Sequence, residues 1–206
     1  MGLRRRIFFP LLGDGIFTQE GQSWKHSRQL LRPQFAWRQY WDLEIFEYHV
    51  NHLLNLLNQN SGEVDLQPLF FRLTLDTTTE FLFGKSANSL KERDSPGVAK
   101  FAEEFDCAQN YVVQRFRLTD LYWLIGGPNF QRSCASVHRF LDEIIETRDN
   151  KDHQSMGAKR RYVFLDSIAK ELKEEKLKSR ETLRAQLVNV LLAGRDTTAC
   201  LLTWTL

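Results

Sequence analysis

The sequence predicts an all-helical domain. Apolar residues recur at spacings of three and four through most of the chain, the period of a helix that buries one face. Period-two alternation, the mark of a half-buried strand, is scarce. No Gly-, Pro- or Ser-rich stretch divides the sequence, so residues 1–206 read as a single domain. Hydrophobic residues make up 42% of the chain and aromatics 12%, which supports a packed core and argues against disorder. Fifteen Phe and five Trp imply large apolar walls, in a core or around a ligand.

The elements follow in order. Leu11 through Phe17 (LLGDGIF) reads as a turn between two apolar pieces. A helix starts near Gly21 and stops before Pro33, because the residue before proline avoids the helical region; it carries Trp24, Arg28 and Leu31 at spacings of four and three. In the next helix Phe46, Val50, Leu53, Leu54 and Leu57 form the expected buried face, and Gly62 closes the region. A third runs from Pro68, suited to a first turn, through Phe71, Leu75 and Phe81 to Gly84. Residues 86–97 read as a loop, and Val98 to Arg117 as a helix. Gly126-Gly127-Pro128 breaks the chain. Val137, Phe140, Leu141, Ile144 and Ile145 then mark a helix face, followed by a polar loop over 149–161. Leu165, Ile168, Ala169 and Leu172 give a short amphipathic helix, and 170–181 a solvated face and turn. The last helix spans Leu183 to Leu206.

That last helix contains the most informative segment, Ala193-Gly194-Arg195-Asp196-Thr197-Thr198. A glycine in a helix interior costs about 1 kcal/mol relative to alanine, and Asp and Thr are also poor helix formers. Two readings fit these six residues. Gly194 lets a flat ligand or another backbone come close, with Asp196 and a Thr offering an acid and a hydroxyl for proton delivery. Or Gly194 caps one helix and Asp196 starts another.

Other function classes are thinly supported. A net charge of +2 gives no case for nucleic-acid binding, and Arg4-Arg5-Arg6 and Lys159-Arg160-Arg161 read as solvated loops. Cys107, Cys134 and Cys200 are widely spaced with no C-x-x-C pair, so neither a disulfide framework nor a zinc site is expected. Reduced thiols facing the cytosol fit that pattern. His49 and His52 read as a solvated helix face. No apolar run reaches the ~18 residues of a membrane span.

Two motifs now join: W-x-x-x-R at Trp24 and Arg28, and AGRDTT at 193–198. In this order they resemble the haem-thiolate monooxygenases, the cytochrome P-450 family, with the first on helix C and the second on helix I. The resemblance is closer to fungal microsomal hydroxylases of n-alkanes and fatty acids, through LLGDGIFT at 11–18, WKHSRQLLRPQF at 24–35, TEFLFG at 79–84 and LLAGRDTT at 191–198. It covers nearly the whole chain, from the B–C loop to helix I. It implies a mainly α, partial P-450 fold that lacks the C-terminal haem-ligating part.

The resemblance also implies roles. Trp24 and Arg28 would hold a propionate of haem b (iron protoporphyrin IX), since an indole N–H and a guanidinium both donate to carboxylates. Ala193 and Gly194 would pack on the porphyrin. Thr197 would place its hydroxyl beside bound dioxygen, and Asp196 would relay protons. The axial Cys is absent, because none of the three cysteines has the family's Phe-Gly-Arg-Cys context; no metal ligand is therefore assigned, and this piece alone is expected to be inactive. The parent would oxidise an apolar small molecule, an alkane or fatty acid, with electrons from NADPH through NADPH–cytochrome P-450 reductase. It would sit at the endoplasmic reticulum membrane, facing the cytosol, on an anchor outside these residues. Lys25, Arg32 and Arg38 would form a cationic surface for the reductase. Phe8, Phe9, Leu11, Leu12, Val190, Phe116, Leu121, Tyr122 and Trp123 are candidates to wall the substrate pocket. The rival expectation is a helical interaction protein, or a degenerate gene product, with no cofactor; it turns on the uncapped apolar end at Leu206.

Overall fold

The computed structural model describes residues 2–35, 43–59, 62–91, 96–152, 163–174 and 180–206, and among them every regular element is helical. The helices are α1 (Leu3–Leu12), α2 (Gly21–Leu31), α3 (Glu44–Asn58), α4 (Leu66–Phe83), α5 (Pro96–Leu118), α6 (Pro128–Asp152), α7 (Phe164–Glu174) and α8 (Arg180–Thr205). A 3-10 turn follows α2 at Arg32–Phe35, and another follows α5 at Thr119–Leu124.

α8 is the axis of the fold. From Leu183 to Leu191 only Arg184 escapes full burial, as a helix packed on all sides requires. α4 lies along α8; α1, α6 and α7 also pack on it, while α5 pairs with α6 and α3 rests on the outer side of α4. The main core runs from Ile7 and Leu11 through Phe105, Leu141 and Phe164 to Leu187. A smaller cluster joins Leu53 of α3 to Phe70 and Leu73 of α4 and to Ala199. α4 is bounded as its sequence suggests: Asp65 accepts from Gln67 N–H at its start, and Gly84 ends it in the left-handed region (φ 67°) with its N–H on Glu80 O.

α1 is the element that periodicity does not announce. Pro10 lies inside it and has no N–H, so the carbonyl of Arg6 loses its helical donor. Arg115 Nη2 from α5 donates to that oxygen instead, at 3.3 Å. The carbonyls of the last turn are also satisfied from elsewhere: Leu11 O accepts from His138 of α6 at 2.7 Å, and Leu12 O from Asn189 Nδ2 of α8 at 2.9 Å. Helix ends need such partners, and here three other helices supply them.

α3 forms where expected but turns a different face inward. Phe46, Val50 and Leu54 are exposed, and His49 and Leu53 are buried against α4. The cause is a polar pair: His49 Nε2 lies 2.7 Å from Glu80 Oε2, which allows a histidine to take a core position. His49 is therefore not a solvated residue. His52 is half-buried, with Nδ1 2.6 Å from Tyr48 O. Helix replaces expected loop at two places, since α6 continues to Asp152 and α5 begins at Pro96. Lys159-Arg160-Arg161 lies outside the described residues.

Arg115 also donates to Ile125 O at 3.0 Å, beneath the rings of Tyr122 and Phe130. It thus ties α1 to the C-terminal end of the 3-10 turn after α5. Replacing it with leucine leaves two part-buried carbonyls without this donor, and an unpaired carbonyl costs at most about 1–3 kcal/mol when fully buried. Arg115→Leu should lower unfolding free energy by about 1–3 kcal/mol, read from the shift in a urea unfolding midpoint.

Candidate functional site

α8 runs unbroken through Gly194, which removes the reading of two capped helices. Successive residues of a helix point about 100° apart, so the six-residue segment serves several neighbours at once. Ala193 and Thr197 share one face, and the Thr197 hydroxyl, exposed, donates to Ala193 O at 2.7 Å. Gly194 turns toward α4, where an added Cβ would lie 2.9 Å from both Cγ2 and Oγ1 of Thr78. The close neighbour at Gly194 is the Thr78 side chain of α4. Arg195 points inward and is 2% exposed. Its guanidinium lies over Phe71 and Phe105, with Nη1 on Asp106 Oδ1 at 2.6 Å and on Asp196 Oδ1 at 3.2 Å.

Asp196 is held from two sides. Gln109 Nε2 of α5 donates to its Oδ2 at 2.5 Å, and Arg195 to its Oδ1. Burial pushes its carboxyl above the usual aspartate range; Arg195 and the Gln109 hydrogen bond oppose that shift, and Asp106 adds to it. Asp196 is thus a carboxyl that takes up protons more readily than a solvated one. Asp196 and Thr197 are adjacent but bond to different partners.

Trp24 and Arg28 lie one turn apart on α2, both exposed, with the Arg28 guanidinium 5.4 Å from the centre of the Trp24 ring. Neither side chain makes a hydrogen bond or ion pair with the described residues. The buried side of the same helix does the joining: Ser27 Oγ accepts from Gln186 Nε2 of α8 at 2.7 Å and donates to Gln19 Oε1 at 2.5 Å. No direct contact joins the Trp24–Arg28 pair to the segment 193–198 among the described residues.

The donor set fits a dicarboxylate cofactor such as haem at its acidic edge, with two free donors side by side on an exposed helix face. It does not supply an axial thiolate. Cys134 is buried and burial pushes its thiol up to about 12, while Cys107 and Cys200 are exposed. No group of three or more His, Cys, Asp or Glu able to hold a metal occurs among the described residues.

The expected pocket wall divides. Leu11, Leu12 and Val190 belong to the core, drawn in by the packing of α1 and α8. Phe9, Phe116, Leu121 and Trp123 are exposed, and Phe8 meets Phe116 edge-on at 6.0 Å. Tyr122 instead covers Arg115. On α5, Gln109, Val113 and Phe116 fall on one stripe; the first binds Asp196, and the other two are open to solvent. Sequence reading passed over Gln109 and Asp106, which carry no local signal of their own, and gave Arg195 no role within its segment. It also passed over Gln186 and Asn189, where two amides in the most apolar stretch of the chain were a legible cue.

Such a molecule is an all-helical domain built around one long central helix, with the segment 193–198 in the second half of that helix. The chain belongs to the cytochrome P450 family, whose family model matches residues 6–206. It is 47% identical over 94% of its length to a cytochrome P450 of Arthroderma benhamiae. It is 41% identical over 99% of its length to cytochrome P450 52A5 of Candida maltosa, and 40% identical over 98% to a cytochrome P450 monooxygenase of a Fusarium species. It spans 39%, 40% and 38% of those proteins respectively. Among solved structures, the haem domain of cytochrome P450DA superposes with a TM-score of 0.72 at 21% identity, covering 98% of this chain and 44% of that one.

The Gly194–Thr78 contact is directly testable. Alanine gains about 1 kcal/mol in helix propensity, but inserting a methyl into a filled contact costs about 1–3 kcal/mol. Gly194→Ala should therefore destabilise, and adding Thr78→Ala should recover most of the loss. Denaturation midpoints of the two single variants and the double variant give the coupling.

Proposed function

We propose that this chain is the oxygen-activating and substrate-facing part of a haem-dependent monooxygenase that hydroxylates an aliphatic molecule, an alkane or a fatty acid. One observation carries this reading. The α5 stripe that begins at Gln109, on the Asp196 carboxyl, continues as the open apolar residues Val113 and Phe116. An acid, an adjacent exposed hydroxyl and an apolar wall thus lie together, as oxidation of an unactivated alkyl chain demands.

Each residue has a defined task. Trp24 and Arg28 would hold a propionate through the indole N–H and the guanidinium. Haem b, when bound, supplies the activation of O2 that the protein itself cannot. Thr197 presents a hydroxyl, and its bond to Ala193 O is a local one that a change of χ1 to another staggered rotamer releases. Asp196 exchanges protons beside it. Val113 and Phe116 exclude water along the alkyl chain.

Electrons would come from NADPH through a reductase docking on the cationic surface of α2. Lys25 and Arg32 are exposed there; Arg38 lies outside the described residues. The similarity to microsomal fungal members supports a location on the cytosolic face of the endoplasmic reticulum. No helix among the described residues is long and apolar enough to cross a membrane. These 206 residues alone should not turn over substrate, because no cysteine here has the environment of an axial thiolate.

In the full-length holoenzyme, Thr197→Ala should leave substrate affinity within about twofold and sharply lower the product formed per O2 consumed. Retention of full coupling would remove Thr197 from proton delivery. Arg28→Ala should accelerate haem transfer to an apo-acceptor about tenfold, the effect of losing one charge-assisted hydrogen bond. An unchanged transfer rate would remove the propionate assignment.

A further inference from the structure

The exposed pair Trp24 and Arg28 is oriented only by the helix that carries it, since neither side chain bonds to a described residue. α2 buries three residues, Ser27, Leu30 and Leu31. It packs mainly on the 3-10 turn that follows it and on α7. The leucine contacts are non-directional, so they hold α2 down without fixing its rotation about its own axis. Ser27 is the polar member of the three, and a hydrogen bond has direction.

Ser27 belongs to a chain of hydrogen bonds whose polarity is set at one end. Gln19 Nε2 donates to the carbonyl of Asp14 at 3.0 Å, and a carbonyl only accepts. The Gln19 amide must then turn its oxygen to Ser27, whose hydroxyl donates to it at 2.5 Å. That uses the single hydroxyl proton. Gln186 of α8 can therefore meet Ser27 Oγ only as a donor, as its Nε2 does at 2.7 Å. Its own Oε1 is left buried with no partner. Turning that amide over would bring oxygen against an oxygen with no second proton to give. The orphan acceptor is thus the consequence of a chain locked in one direction, from the backbone of Asp14 to the central helix.

We propose that Ser27 and Gln186 are positioning residues for the propionate donors, setting the rotation of α2 and with it the place of the Trp24 indole and the Arg28 guanidinium. The proposal rests on the propionate reading of that pair given above. Helical geometry supplies the lever. At about 100° per residue, Trp24 and Arg28 lie within about 40° of each other, and Ser27 lies about 60° beyond Trp24 on the other side from Arg28. A rotation of about 20° carries a side-chain tip roughly 6 Å from the axis through about 2 Å. That distance separates a hydrogen bond from no bond.

The test uses the full-length holoenzyme and two readouts that need no turnover: the rate of haem transfer to an apo-acceptor, and the propionate bending band in resonance Raman. Ser27→Ala and Gln186→Met each remove the link between α2 and α8. Each should accelerate transfer about fivefold, the size of one neutral hydrogen bond, and shift the band. Ser27→Thr keeps the hydroxyl and should stay within about twofold of the parent. Leu30→Ala, on the same buried side of α2, lowers the unfolding midpoint through lost packing and should leave the band in place. Combined with Arg28→Ala, Ser27→Ala should add nothing further to the transfer rate, because it acts through that donor. A band shift in Leu30→Ala equal to that in Ser27→Ala would make the effect ordinary packing and overturn the proposal. So would unchanged transfer in Ser27→Ala and Gln186→Met while Arg28→Ala accelerates it, a result that leaves the propionate reading standing. If Arg28→Ala itself is silent, the propionate reading fails and this proposal falls with it.

Discussion

A single buried amide governs how the parts of this molecule meet. Asn189 is 0% exposed in the middle of α8, and a polar group buried without partners costs about 1–3 kcal/mol. Its partners come from a distant part of the chain. Oδ1 accepts from Phe17 N–H at 2.9 Å, and Nδ2 donates to Leu12 O as well as to Ala185 O one turn back. The turn between α1 and α2 is therefore clamped onto α8. Gly15 has to be glycine for this to happen, because a Cβ there would lie 2.3 Å from Asn189 Nδ2. Gln186, one turn earlier, repeats the arrangement toward Ser27 of α2. The helix bearing Trp24 and Arg28 and the helix bearing Asp196 and Thr197 thus keep their relative placement through buried amides.

Helical geometry explains why the segment 193–198 tolerates such poor helix formers. Each residue meets a different demand. Gly194 lets α4 approach, Arg195 fills a polar slot in an aromatic cage, and Asp196 engages α5. Thr197 keeps an open face beside Ala193. The cost in helix propensity is set by the contacts that Thr78 of α4 and Asp106 and Gln109 of α5 make with this stretch of α8, and the long buried stretch before it, from Leu183 to Leu191, keeps the helix intact.

The same contacts set the electrostatics. Asp196 is buried enough to hold its proton more readily than a solvated aspartate, yet it is flanked by a guanidinium and an amide that pull the other way. A raised pKa brings a carboxyl nearer the range in which it can exchange protons. Cys134 shows the opposite outcome: burial without a strong donor leaves a thiol that stays protonated and inert.

Much of this was legible in the sequence. Periodicity and Gly/Pro punctuation place α2 through α8, although only α4 is closed by a glycine in the left-handed region and α3 does not bury the stripe its periodicity picks out. The order of the two motifs suffices for the family, because spacing along a chain survives without coordinates. Three things were decided only in three dimensions. α1 forms because Arg115, His138 and Asn189 satisfy its carbonyls from far along the chain, and no local pattern records a borrowed donor. α3 buries His49 in place of Phe46 and Val50 because Glu80 stands opposite, a pairing across 31 positions. The tethering of Asp196 to Gln109 spans 87 positions. One-dimensional patterns encode which face of a helix is apolar; which polar group meets which is a property of packed helices, driven by the cost of leaving a buried donor or acceptor alone.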